Sequence, residues 1–376
     1  MGQNNPNPHH HGLIIGNYCH DILFKDNLVL AETLGGAVSF ISRVLDNLNI
    51  SADYISKVGN DFDYFNITNI HPPIISSCSK TTVFHAYFLS DDPLEIRRED
   101  RVLKRVVSGD PIHPSDFGNN ENCSFLFGIA AGVAGEVTSE SLEKMLDICD
   151  IVIVDIQALI RKFDEMDGTV KLVSLKESGF YHLVKRIGFL KASAEEAPYM
   201  DIEEVRKNCC VVVTSGKDGC SLYWKDGEMQ IEPFRTVQVD PTGAGDSFLG
   251  GLVAGLVEGL SVPDAALVGN FFGSLTVGQI GLPEFDSRLM QKVKEELQRR
   301  KIQCSGHDEE SKYTKPRGHE QFIASLHSAR IATALTISPN IADQTLDPDS
   351  GYASRQMLFL KNSLYEEPIK STDVKP

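Results

Sequence analysis

The stretch Val239-Asp240-Pro241-Thr242-Gly243-Ala244-Gly245-Asp246-Ser247-Phe248 decides how the rest of the chain is read. Gly243 and Gly245 let the main chain turn tightly and come close to a ligand, where a Cβ would stand in the way. The apolar residues that follow, Phe248, Leu249, Leu252, Val253, Leu256, Val257 and Leu260, recur at helical spacing, which predicts a helix fed by the turn. Unpaired N–H groups at such a helix start favour an anion. Asp246 then falls in the first turn beside that anion site, placed to take a proton from a hydroxyl attacking phosphorus. Asp is also a common helix cap, and spacing alone does not choose between the two.

Working outward, apolar runs at 13–16, 82–89, 151–155, 187–191 and 210–214 read as strands, several of them continuous as parallel strands covered on both faces should be. Helical patterns at 139–149, 195–206, 246–260, 264–277 and 287–300 alternate with them, and Val38, Ile41, Val44, Leu45 and Leu48 continue a helix after Gly35 and Gly36. This order predicts an α/β fold, a mostly parallel sheet covered by helices on both faces, with sites at the strand C-terminal ends. The segments 17–34 and 71–110 fit that core poorly. After about residue 300 the sequence turns polar and mixed: an extension over 301–376 is expected, disordered beyond about 340, with ASLHSARIATAL at 324–335 a short docking helix.

The chain has 376 residues, 41% of them hydrophobic, enough for one large domain with a smaller appendage. A net charge of −16 argues against nucleic acid or an anionic membrane as partner. Cysteines 19, 78, 123, 149, 209, 210, 220 and 304 show no metal-type spacing and read as reduced thiols of a cytoplasmic protein. Residues 1–11, polar and including His9, His10 and His11, read as a flexible leader with no apolar signal segment. No run is long and apolar enough to span a bilayer. The first strand is not followed by GxGxxG, and the glycine turn lacks the spacing and lysine of a Walker loop.

The string VDPTGAGDSFLGG resembles the C-terminal signature of the ribokinase-like (PfkB) family of sugar and nucleoside kinases, whose members read DTxGAGD there. The resemblance extends over residues 12–300, the expected kinase domain, and implies that 17–34 and 71–110 form a small β lid over the sugar. It implies ATP as co-substrate with Mg²⁺, Asp246 as base, and Gly243, Ala244 and Gly245 as the anion cradle. In GLIIGNYCHDIL, Asp21 stands where members bind sugar hydroxyls, and in LGGAVSF, Gly35 and Gly36 match the motif at the lid hinge. Phe40 replaces the Asn that grips the sugar in many members. In LKASAEEA, Glu196 keeps the family's metal-organising Glu while Ser193 replaces its Asn. Thr214, Gly216 and Gly219 of VVVTSGKDGCSLY match the segment beside the nucleotide, and Asn270 an Asn near the adenine; a plain hairpin and a polar helix residue are the alternatives.

Asp155, Gln157 and Arg161 follow a strand and face the same crevice without an assigned role. Arg97, Arg98, Arg101, Lys104 and Arg105 alternate with Glu95, Glu99 and Asp100 and read as a solvated helix face. Within the family, GNYCHD, GGAVSF, DRVLKRV, DIQALIR and LKASAEEA resemble the plant members acting on myo-inositol. That implies a neutral polyol substrate phosphorylated to inositol 3-phosphate by a monomer or homodimer. Ribose, fructose or adenosine as acceptor, or a non-catalytic regulator on the same fold, are the other readings.

Overall fold

The computed structural model describes residues 11–88, 101–118, 124–304 and 312–337. The chain divides into a unit that ends at Arg330 and a second that starts at Ile331.

The first unit is built around a sheet of eight strands, in spatial order Gly227–Ile231, Cys220–Trp224, Cys210–Thr214, Phe189–Ser193, Val152–Asp155, Phe127–Ala130, Gly12–Ile15 and Ala52–Ile55. From Cys210–Thr214 to Ala52–Ile55 every pairing is parallel, and the hairpin at the other edge is antiparallel. The apolar runs divide between two faces because successive side chains point opposite ways. Ile14, Ile129, Ile153 and Val212 enter one core, packed with the helices Ala37–Asn47, Ala244–Val257, Val262–Thr276 and Ser287–Cys304. Leu13, Ile15, Val152, Val154 and Val211 enter the other, with the helix Ser139–Ile148. That helix starts where the Thr138 side chain accepts from Ser141 N, a cap worth about 1 kcal/mol. The glycines of Ala244–Val257 let it lie against Val262–Thr276: a Cβ on Gly251 would stand 2.8 Å from Val268 O.

The segments that fitted the core poorly form a separate four-stranded sheet, in order Leu28–Gly35, Cys19–Lys25, Thr82–Phe88 and Arg101–Val107. Thr82, Phe84, Ala86 and Phe88 alternate inward on one of its strands. The solvated helix face expected across the basic cluster is therefore corrected where it is described: Arg101–Val107 is a strand. Lys104 pairs with Asp167 at 2.6 Å, and Arg105 lies over the Phe163 ring and donates to Ala134 O. Glu95, Arg97, Arg98, Glu99 and Asp100 lie outside the described residues, as do Cys123, residues 1–10 of the expected leader and the segment beyond 340.

Two further expectations shift. The helix expected over 195–206 is broken into a 3-10 turn, Ala197–Tyr199, and a short helix, Ile202–Val205, because Pro198 interrupts it and Asp201 caps anew. The strand expected at 187–191 is Phe189–Ser193, and it continues through polar Lys191 and Ser193 because its ladder to Cys210–Thr214 runs to Ser193. The docking helix is longer than expected, His319–Ile337, and in the first unit it buries Phe322, Leu326 and Ala329. Cys19, Cys78, Cys149, Cys209, Cys210 and Cys220 are free. Among the described residues no helix is long and apolar enough to cross a membrane.

Candidate active site

The glycine turn enters its helix as expected. Gly243 takes φ 74°, open to glycine and costly for other residues, and Ser247 N donates to its carbonyl at 2.8 Å. A Cβ on Gly243 would run into the Phe40 ring. Buried Asp240 holds the turn from behind, accepting from Thr242 N at 2.9 Å and Gly281 N at 3.3 Å. Val239 N and Asp240 N both reach Val277 O. Gly243, Gly245 and Asp246 line a cavity; Ala244 does not, and its N–H donates to Pro241 O at 3.4 Å. Of the residues expected to form the anion cradle, Gly243 and Gly245 thus border the cavity and Ala244 does not.

Parallel strands converge on this turn with their C-terminal ends. Asp155 ends one strand, and its Oδ1 accepts from Gln157 N at 3.3 Å. Gln157 Nε2 in turn donates to Asp246 Oδ1 at 3.3 Å, which fixes the orientation of that carboxylate. Asp155 Oδ2 lies 2.8 Å from Lys191 Nζ on the neighbouring strand, and both side chains are buried. Burial pushes the Asp155 carboxyl up to about 6; Lys191 opposes the rise, whereas Glu196 and Asp246 add to it. Arg161 NH1 donates to Val133 O at 3.4 Å, and its NH2 stands 3.9 Å from Glu196 Oε1.

Glu196 and Ser193 close on each other: Ser193 N donates to Glu196 Oε2 at 2.9 Å and Glu196 N to Ser193 Oγ at 3.3 Å. The Glu196 carboxylate is thus held by the backbone at 193, a contact that does not depend on the side chain there. Among the described residues no group of three or more His, Cys, Asp or Glu side chains is placed to hold a metal ion. One buried carboxylate, already accepting from a backbone N–H, fits Mg²⁺ reached through water and phosphate oxygens, the coordination this ion favours.

On the opposite side, Asp21 lines the cavity from the strand Cys19–Lys25, with Leu23, Phe84, Ala86 and Leu103 of the same small sheet beside it. Gly35 lies directly under the Asp21 carboxyl, where a Cβ would collide, and Gly36 caps the helix that carries Phe40. Phe40 is 2% exposed and lines the cavity.

Thr214, Gly216, Gly219 and Asn270 do not line the cavity, and neither do Ser193 and Glu196. Thr214 pairs with Ser193 in the sheet, and its hydroxyl donates to Ala192 O at 3.3 Å. Gly216 and Gly219 bound a short 3-10 turn, both with positive φ. A Cβ on Gly219 would meet the backbone at 231–233, and Asn270 Nδ2 donates to Ile231 O and Glu232 O at 3.3 and 2.8 Å. The structure therefore joins these two residues through one stretch of backbone. Asp240 and Lys191 were not singled out from sequence. The signal for Lys191 was a lysine inside an otherwise buried strand, FLKAS.

Residues 133–286 match the pfkB family carbohydrate kinase profile. The chain is 57% identical to an inositol 3-kinase of Arabidopsis thaliana over 86% of its own length and 89% of the relative's. It is 47% identical to an inositol 3-kinase of Oryza sativa subsp. japonica, over 85% of this chain and 81% of the other. The fold is similar to that of a pyrophosphate-dependent kinase of the ribokinase family solved as a sulfate complex, with TM-score 0.62 and 16% identity over 73% of this chain and 97% of that one. With the glycine turn, Asp246 and the doubly covered sheet in place, the chain belongs to the pfkB family: it is an ATP-dependent carbohydrate kinase on a ribokinase-like fold.

Proposed function

We propose that the protein transfers the γ-phosphoryl group of Mg-ATP to a hydroxyl of myo-inositol, giving inositol 3-phosphate. The observation that carries this reading is Asp246, held by Gln157 in the first turn of a helix whose N-terminus faces the cavity. Asp246 takes the proton of the attacking hydroxyl, while the N–H groups of Gly243, Gly245 and Asp246 meet the charge on the transferred group. Such reactions depend on positioning and electrostatics more than on covalent chemistry by the protein. Asp21 accepts from ring hydroxyls, and the apolar side chains of the small sheet close over the C–H faces of a neutral ring. ATP runs from the glycine turn past Ser193 towards Thr214, Gly216, Gly219 and Asn270, and Glu196 would hold Mg²⁺ through its water shell. When bound, Mg²⁺ draws charge off the phosphate oxygens. The inositol assignment is supported by the two plant relatives and by Phe40, which puts a ring where many family members carry a sugar-binding Asn. The free thiols support a cytoplasmic setting.

The test is ADP release with Mg-ATP and myo-inositol, run beside ribose, fructose and adenosine. Selective turnover on inositol is expected, and Asp246→Asn lowers kcat by about 10²–10⁴-fold, the range for loss of a general base. Preference for another acceptor, or full activity of Asp246→Asn, overturns the assignment.

A further inference from the structure

Two cations line the cavity, Arg161 and Lys191, and they are placed differently. Arg161 is directed to the Val133 carbonyl and towards Glu196. Lys191 comes up from the strand Phe189–Ser193 directly beneath the glycine turn: a Cβ added to Gly245 would stand 2.9 Å from its Nζ. The ammonium thus lies directly against the turn at Gly245.

The charges around the turn explain why an ammonium belongs there. Asp246 lines the cavity, and Asp155 and Glu196 stand behind it, close enough to each other that both Glu196 and Asp246 act on the Asp155 carboxyl. A polyphosphate entering this place meets several carboxylates. At about 4 Å and an effective dielectric constant near 20, each unit pair is worth ~4 kcal/mol, so an opposing cation decides whether the anion is held. Asp155, at 2.8 Å, pairs with the Lys191 ammonium and holds it pointed at the turn. As a purely structural element the pair has little to recommend it, since replacing a buried ion pair by apolar residues is often neutral for stability.

We propose that Lys191 is a catalytic residue whose ammonium, held by Asp155, donates to an oxygen of the phosphoryl group during transfer. The bond from the acceptor oxygen to the γ-phosphorus forms and the bond from that phosphorus to the β–γ bridging oxygen breaks. The hydroxyl proton goes to Asp246, ADP leaves, and Lys191 keeps its protons throughout. This inference deepens the kinase reading and rests on it.

The experiment uses the full chain. Lys191→Met lowers kcat by about 10²-fold, the usual cost of removing one donor to a developing charge, and leaves the KM for inositol within about threefold. Lys191→Arg restores at least about a tenth of the wild-type kcat, because the charge is back although its shape is wrong. Affinity for a non-hydrolysable Mg-ATP analogue, read by calorimetry without any acceptor, falls at least about fivefold in Lys191→Met. Should that variant not fold, the double variant Lys191→Met/Asp155→Leu replaces the pair by apolar side chains, and the same losses are expected. Wild-type kcat with unchanged analogue affinity in whichever of the two folds overturns the role of Lys191. A kcat loss that Lys191→Arg does not relieve and that comes with an equal rise in inositol KM also overturns it. If the wild type binds the analogue but does not phosphorylate inositol, the substrate reading falls; analogue affinity in the variants still decides the place of Lys191.

Discussion

The unit contains two buried charge clusters of similar make and opposite use. At the cavity, Asp155 and Lys191 sit on adjacent strands, with a glycine against the ammonium and further carboxylates nearby. Away from it, Asp264 receives Arg300 Nε at 2.7 Å and His319 Nδ1 at 2.5 Å, with all three side chains buried. Arg300 sends its other nitrogens to Arg317 O at 2.8 Å and Pro316 O at 3.5 Å. This second cluster spends its donors on the chain itself and fastens the segment around 316–319 to the helices Val262–Thr276 and Ser287–Cys304. Buried charge is thus no mark of a functional site by itself. What distinguishes the first cluster is that it borders a cavity and carries an excess of one sign.

Cutting the second cluster has the largest expected effect on the fold. Asp264→Ala leaves Arg300 buried without its carboxylate, which is expected to lower stability by about 3–5 kcal/mol in denaturant titration. The kcat of the remaining folded protein stays at the wild-type value. A loss of kcat with unchanged stability would mean that the second cluster also acts on the reaction, and the distinction would fail.

A smaller effect concerns the first cluster alone. With its folded pKa pushed up to about 6 by burial, Asp155 holds a proton that the unfolded chain, titrating near ~3.9, has already lost. The folded state therefore binds more protons between these values, and this group's contribution to stability falls as pH rises through about 6. Activity runs the other way, because only ionised Asp155 pairs fully with Lys191. The expected pH profile of kcat has an acid limb near 6, falling about tenfold per pH unit below it and belonging to the coupled pair as a whole. In Asp155→Asn the limb disappears and the plateau is lower. A limb that persists in that variant assigns it to another group.

The same contrast explains what could be read from the sequence. The turn at 239–248 and its helix are contiguous, so glycines, a carboxylate and helical apolar spacing stand side by side in the string. The parallel strands were legible because burial on both faces leaves runs such as VIVD. Lys191 was not, since its meaning depends on Asp155 and Gly245, which come from other elements. Arg101–Val107 misled because alternating charges suit a solvated helix as well as a strand that sends Lys104 to Asp167 and Arg105 to Phe163. The docking helix read at 324–335 begins earlier, at His319, because Phe322 stands among polar neighbours and finds its partners only in the folded core.

That helix supplies the mildest prediction. Arg330 donates to Arg235 O and Ser274 Oγ at 3.3 Å and to Thr236 Oγ1 at 2.8 Å, and His327 lies 4.7 Å from the Phe234 ring. These contacts hold the segment that follows Glu232, on which Asn270 and Gly219 also lean, and which leads into Val239 and the glycine turn. They lie on the side proposed for ATP, whereas Asp21 and Phe40 line the cavity from other elements. Arg330→Ala removes hydrogen bonds worth about 1 kcal/mol in net terms, so an approximately fivefold rise in the KM for Mg-ATP is expected, with the KM for inositol unchanged. Equal rises in both constants would show that the helix supports the fold in general. A rise confined to ATP would mean that the C-terminal helix sets the geometry of the donor side, from a part of the chain that carries none of the reacting groups.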